Sequence, residues 1–235
     1  MRLLLLSNST NYQSGYLDHA LGHIRDFLGD GVKQVLFVPY AGVTVPWDTF
    51  TKKVRGRFAE IGFELESVHT APDPVAAVRQ AEAIAVGGGN TFYLLHQMIE
   101  HKLITAIRKR VLAGVPYMGW SAGSNVAGPT IKTTNDMPIV RPRTFDALAL
   151  VPFQINPHYT DGVIPQHQGE TRADRLAEFI EANPDVDVVG LREGSILRVE
   201  DGHMALLGDK EMLLFRKGRE VRHFAPGEPI DFLLA

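Results

Sequence analysis

The sequence predicts an α/β protein of three layers: a mainly parallel sheet covered by helices on both faces, with antiparallel hairpins at its C-terminal end. Three observations carry this. Short, uniformly apolar runs such as Val35-Leu36-Phe37-Val38 alternate with amphipathic helical stretches, the pattern of strands buried on both faces. Glycine-rich turns follow two of these runs, Gly87-Gly88-Gly89 and Gly119-x-Ser121-x-Gly123, at the carboxyl ends of strands where parallel sheets gather their sites. From Ser195 onward, short alternating runs are broken by Asp201-Gly202 and Lys217-Gly218, which read as hairpin turns.

Taken in order, residues 3–6 read as a fully buried strand ending in the polar turn Ser7-Asn8-Ser9-Thr10. Leu17, Leu21, Ile24 and Leu28 then recur at helical spacing until Gly29 and Gly31 stop the helix. Residues 35–38 form the next buried strand, closed by Pro39, and Phe50, Val54, Phe58 and Ile61 mark a helix capped by Gly62. Residues 63–68 read as a third strand, 74–81 as a short helix and 83–86 as a fourth strand. Helical stretches over 91–101 and 103–113 lead to the apolar run that begins at Val115. A further strand over 147–155 ends in Asn156-Pro157-His158-Tyr159. A helix over 170–181 is broken by Asn183-Pro184, and a strand over 186–191 ends at Arg192-Glu193-Gly194. No repeat or low-complexity segment interrupts the chain, so a single domain over 1–235 is expected.

Composition narrows the function. With 24 Lys+Arg against 27 Asp+Glu the net charge is -3, which provides neither the basic footprint of a nucleic-acid binder nor a polybasic membrane face. A small-molecule or peptide partner is expected instead. There is no cysteine, so covalent catalysis falls to Ser, Thr, Lys or a carboxylate. The apolar start is too short and too soon polar for a signal peptide, no later run approaches a membrane span, and the expected location is cytoplasmic.

The stretch from Val115 to Asn125 has the outline of a nucleophile elbow, in which a strand turns sharply into a helix around Ser121. The residues two before and two after the serine must be almost without side chains, which Gly119 and Gly123 satisfy. Small-residue turns of this kind also serve plain packing, so the pattern needs a base. Of the 9 histidines, His158 alone follows a long buried strand and a proline at a predicted strand end. His19, His23, His96 and His101 fall in helical stretches, and His203 and His223 in the terminal hairpins. The Ala122 amide is one expected oxyanion donor, and the Gly87-Gly88-Gly89 turn offers a second from Gly89. The dinucleotide spacing G-x-G-x-x-G is not met and no P-loop Lys-Ser/Thr follows. Asp136, Asp161 and Glu193 could each orient the imidazole, and spacing does not choose among them. The short interval between Ser121 and His158 leaves little room for the strands of an α/β-hydrolase, and a flavodoxin-like sheet fits better.

Together, Gly87-Gly88-Gly89-Asn90-Thr91-Phe92, Gly119-Trp120-Ser121-Ala122-Gly123-Ser124-Asn125, Thr134-Asn135-Asp136-Met137 and Asn156-Pro157-His158-Tyr159 resemble the peptidase E family of serine peptidases, the α-aspartyl dipeptidases. The resemblance runs from the first strand to the hairpins. It implies a flavodoxin-like or class I glutamine amidotransferase-like fold and a metal-free, cofactor-free cytoplasmic enzyme that removes N-terminal aspartate from dipeptides. It carries Ser121 as nucleophile, His158 as base, and Asp136 first and Glu193 second as competing acids. Gly89 and Ala122 become the oxyanion hole, and Arg172 and Asn90 bind substrate. For Arg172 there is an independent trace. In the first turn of a helix a cation opposes the helix dipole, and an arginine can hold an aspartyl carboxylate through two parallel hydrogen bonds; a solvated arginine paired with Glu170 or Asp174 is the plainer alternative. Other readings are a cyanophycinase-type hydrolase of aspartyl polymers, an esterase or amidase of different specificity, and a non-catalytic flavodoxin-like anion-binding domain.

Overall fold

The computed structural model describes residues 1–162 and 169–235. Its first half runs β1 (Leu3–Leu6), α1 (Leu21–Leu28), β2 (Gln34–Val38), α2 (Trp47–Glu60), β3 (Glu64–Ser67), α3 (Pro74–Gln80), β4 (Ala83–Val86), α4 (Thr91–Glu100), α5 (Leu103–Leu112) and β5 (Tyr117–Trp120). There follow α6 (Ala122–Asn125), β6 (Gln154–Tyr159), α7 (Arg172–Ala182), β7 (Val188–Arg192), β8 (Ile196–Glu200), β9 (His203–Leu207), β10 (Met212–Phe215) and β11 (Arg222–Phe224).

Seven strands form the main sheet in the order β3-β2-β4-β5-β1-β8-β9. The first five are parallel to one another, and the β8–β9 hairpin is added antiparallel to β1. The apolar runs are explained by their two covered faces. Leu3, Leu5, Leu36, Val38, Ile84 and Val86 enter the core on one side of the sheet. Their neighbours Leu4, Leu6, Val35, Phe37, Ala83 and Ala85 enter the core on the other. Each fully buried Leu or Val contributes roughly 1.5–3 kcal/mol, and a polar residue at any of these positions would face a core whichever way it pointed.

Two sequence expectations change. The run over 147–155 is a strand only from Gln154. Before that, Ala149 takes φ 47°, and the amides of Ala147, Leu148, Ala149 and Leu150 bond to carbonyls of residues 126–129 rather than to a strand. The run is apolar because it is buried against the end of α6, and burial by itself does not make a ladder. The larger change is a second sheet, in the order β11-β10-β7-β6. It takes β6, β7 and one of the C-terminal hairpins away from the main sheet, so the strand ends carrying Ser121 and His158 belong to different sheets. No helix among the described residues is long and apolar enough to cross a membrane.

Candidate active site

The site is built outward from the end of β5, which is buried between β1 and β4. There the chain turns through Ser121 at φ 54°, ψ -112°, a conformation that costs a residue with a side chain about 1–3 kcal/mol. Both flanking glycines are sterically required. A Cβ on Gly119 would lie 2.3 Å from the Gly123 carbonyl oxygen, and one on Gly123 would lie 2.1 Å from that of Val86. Ser124 Oγ stands 2.6 Å from the Leu6 carbonyl and 2.8 Å from that of Gly119, and the Tyr117 hydroxyl donates to the Gly123 carbonyl at 2.6 Å. The strained turn is therefore clamped to β1 and β5 by buried hydroxyls.

His158 arrives from the second sheet. The register between β6 and β7 shifts between Asn156 and Tyr159, and His158 sits in that irregularity at φ 53°. A bulge re-aims a side chain. Here the imidazole Nε2 lies 2.9 Å from Ser121 Oγ, and Nδ1 lies 2.6 Å from Glu193 Oε1. Glu193 follows β7 directly, in a turn held by the Gly194 amide donating to Asn8 Oδ1 at 2.9 Å. The His158 and Glu193 side chains are 38% and 55% exposed, so water screens their attraction and the contact acts mainly to fix the ring's orientation.

The family resemblance puts Asp136 ahead of Glu193 as the partner of His158, whereas the carboxylate within hydrogen-bond distance of Nδ1 is that of Glu193. Asp136 Oδ2 accepts from the Thr91 amide at 2.7 Å, the Thr91 hydroxyl at 2.6 Å and the Thr134 hydroxyl at 3.0 Å. It holds the 134–136 loop against the start of α4. His158 and Glu193 meet because they end paired parallel strands, where Tyr159 is in register with Arg192; Asp136 comes from a loop folded over another helix. Asp161 is paired with Arg192 at 2.6 Å. Asn90 also has structural duties: its Oδ1 caps α4 by accepting from the Tyr93 amide, and its Nδ2 donates to the Met137 carbonyl. One N–H and one lone pair of that amide remain over.

Ser121 and His158 line two cavities. The smaller, about 220 Å³, is completed by Thr91, Thr134, Asn135, Asp136, Pro157 and Arg172. Arg172 is the first residue of α7, whose start is fixed by a reciprocal capping box between Thr171 and Asp174. Glu170 lies 3.7 Å from Arg175, and Arg172 has no carboxylate partner among the described residues. Burial first, then the neighbouring Arg175, pulls the Arg172 pKa below the ordinary guanidinium value. A cation so placed calls for an anion. The larger cavity, about 730 Å³, shares Ser121 and His158 with the smaller one and is lined further by Gly88 and Gly89. Gly89 stands at φ 140°, and a Cβ there would lie 2.2 Å from the Ala41 carbonyl oxygen. The amides of Gly88, Gly89 and Ala122 have no hydrogen-bond acceptor among the described residues. Nor, among those residues, are three or more His, Asp or Glu side chains grouped to hold a metal ion.

Two residues that fix this geometry read in the sequence only as part of a polar turn. Ser7 and Asn8 form a polar pair at the carboxyl end of β1, and that position in a parallel sheet was itself the available signal. Both are buried, at 0% and 1% exposure, and they tether the turns that carry His158 and Glu193.

The model of peptidase family S51 matches residues 3–207. Peptidase E of Nostoc sp. (strain PCC 7120) is 52% identical over 233 residues, covering 99% of this chain and 96% of that protein. Peptidase E of Streptomyces coelicolor is 50% identical over 235 residues, covering 100% of this chain and 95% of that protein. Among solved structures, a peptidase from an acI-B1 Actinobacterium superposes with a TM-score of 0.72 at 19% identity, covering 97% of this chain and 96% of that one, a likeness of fold.

Proposed function

Because the chain belongs to peptidase family S51, we propose that it is a serine dipeptidase cleaving Asp-Xaa dipeptides through an acyl-enzyme on Ser121. The observation that carries this reading is the relay Glu193–His158–Ser121, at 2.6 and 2.9 Å, opening onto a small cavity lined by the Arg172 guanidinium, which has no carboxylate partner among the described residues.

Ser121 Oγ attacks the peptide carbonyl carbon while His158 Nε2 takes its proton. Glu193 keeps the Nδ1 proton in place, so that Nε2 is the free acceptor, and stabilises the imidazolium that forms. The amides of Ala122 and Gly89 receive the oxyanion. The imidazolium then returns its proton to the departing amine, the C–N bond breaks, and water activated by the same ring releases aspartate. Arg172 binds the aspartyl side-chain carboxylate through its two-pronged edge. Asp136 takes a binding role in place of a relay role. Its three hydrogen bonds all fall on Oδ2, which leaves Oδ1 to accept a hydrogen bond from the substrate's α-ammonium in the small cavity that Asp136 lines. A cytoplasmic setting belongs to this proposal.

The test compares hydrolysis of Asp-Leu, Glu-Leu, Asn-Leu and a poly-aspartyl substrate by the wild type and by Ser121→Ala. The expected result is strong preference for Asp-Leu and a loss of roughly three or more orders of magnitude in turnover for the variant. Undiminished hydrolysis by Ser121→Ala, or preference for the polymer, would defeat the reading.

A further inference from the structure

The larger cavity is mostly apolar and carries a lysine in its wall. Tyr16, Val43, Val45, Phe50 and Trp120 give it an apolar lining. Among the described residues that line it, Lys53 is the one lysine or arginine, and none is a carboxylate. Lys53 projects from α2, with Nζ 3.9 Å from the centroid of the Tyr16 ring, and no carboxylate oxygen among the described residues comes within ion-pair distance of it. The ring face steadies the ammonium without neutralising it. Tyr16 is itself held in an aromatic cluster, edge-on to Phe50 and to Trp120 at centroid distances of 6.5 and 6.4 Å. Trp120 immediately precedes Ser121, so the cation is referred to the elbow through packed rings.

In the proposed reaction the smaller cavity, with Arg172 and Asp136, holds the acyl half of the substrate. The leaving residue then falls to the larger cavity, which Ser121 also lines. In a dipeptide that residue ends in a free carboxylate; in any longer peptide the same position is an uncharged amide. We propose that Lys53 binds the α-carboxylate of the leaving residue, whose side chain rests on the apolar wall, and that this contact sets the preference for dipeptides. The inference rests on the dipeptidase reading and adds to it a subsite for a free amino-acid carboxylate.

The experiment compares kcat/KM for Asp-Leu with that for Asp-Leu-amide, which differ only in the terminal charge, in the wild type, Lys53→Met and Lys53→Arg. The expected result is a wild-type preference for the free acid that shrinks about fivefold in Lys53→Met, the size an accessible ion pair supports. Lys53→Arg retains the preference, and added salt weakens it in the wild type. A preference unchanged in Lys53→Met, or a wild type indifferent to the terminal charge, overturns the subsite while leaving the dipeptidase reading intact. A wild type that cleaves neither compound overturns both.

Discussion

The backbone N–H of His158 donates to Ser7 Oγ at 2.9 Å, and the Ser7 hydroxyl donates in turn to the Leu191 carbonyl at 2.7 Å. One buried hydroxyl thus ties the end of β1, in the main sheet, to both β6 and β7 in the second. Ser121 is fixed to the first sheet and His158 to the other, so this joint sets the distance between them.

Ser7→Ala is therefore expected to behave as a positioning variant. Leaving the His158 amide and the Leu191 carbonyl buried without a partner costs about 1–3 kcal/mol in stability. With the imidazole no longer held against Ser121, kcat falls about tenfold or more, whereas KM for Asp-Leu changes little because Arg172 and Asp136 are untouched. Thermal unfolding and steady-state kinetics read the two effects separately. A fall in stability with kcat unchanged would show that the joint does not position the base.

Glu193→Gln and Asp136→Asn separate the two carboxylates that compete for the same role. Glu193→Gln removes the charge that orients the ring and is expected to lower kcat roughly 10²-fold with little change in KM. Asp136→Asn weakens the acceptor at the start of α4, costing about 1 kcal/mol, and raises KM by loosening the hold on the α-ammonium. If Asp136→Asn lost kcat and Glu193→Gln did not, the assignment of roles would be reversed.

Arg172→Ala is expected to lower kcat/KM for Asp-Leu by about 10- to 100-fold, the range of a hydrogen-bonded charge contact, and to affect Asn-Leu far less. Arg172→Lys restores only part of the loss, since an ammonium cannot form the paired bonds of a guanidinium. Equal losses on Asp-Leu and Asn-Leu would remove Arg172 from substrate selection.

Much of this site was legible along the chain because its parts are local. The elbow needs glycine at 119 and 123 because a Cβ at either meets backbone within 2.3 Å, and that requirement leaves a visible sequence pattern. The strands of the main sheet were legible because burial on both faces empties them of polar residues. The misplaced strand at 147–153 has the same apolar texture for another reason, packing against α6, and composition alone cannot separate the two.

The choice between Asp136 and Glu193 was of a different kind. Both are acidic residues in polar turns, and what distinguishes them is that β6 pairs with β7, a contact between segments whose facing residues His158 and Glu193 lie 35 apart. Lys53 is more hidden still, one lysine on the solvent side of a helix, and it gains meaning only from the Tyr16 ring and the cavity beside it. The sequence by itself determined the strained serine, the histidine at a strand end and the alternating α/β frame, because each follows from local sterics or from the period of burial. Which carboxylate meets the imidazole, and which residues line the two cavities at the serine, were decided by the packing of two sheets against each other, because strand pairing over long separations leaves no mark on the residues between.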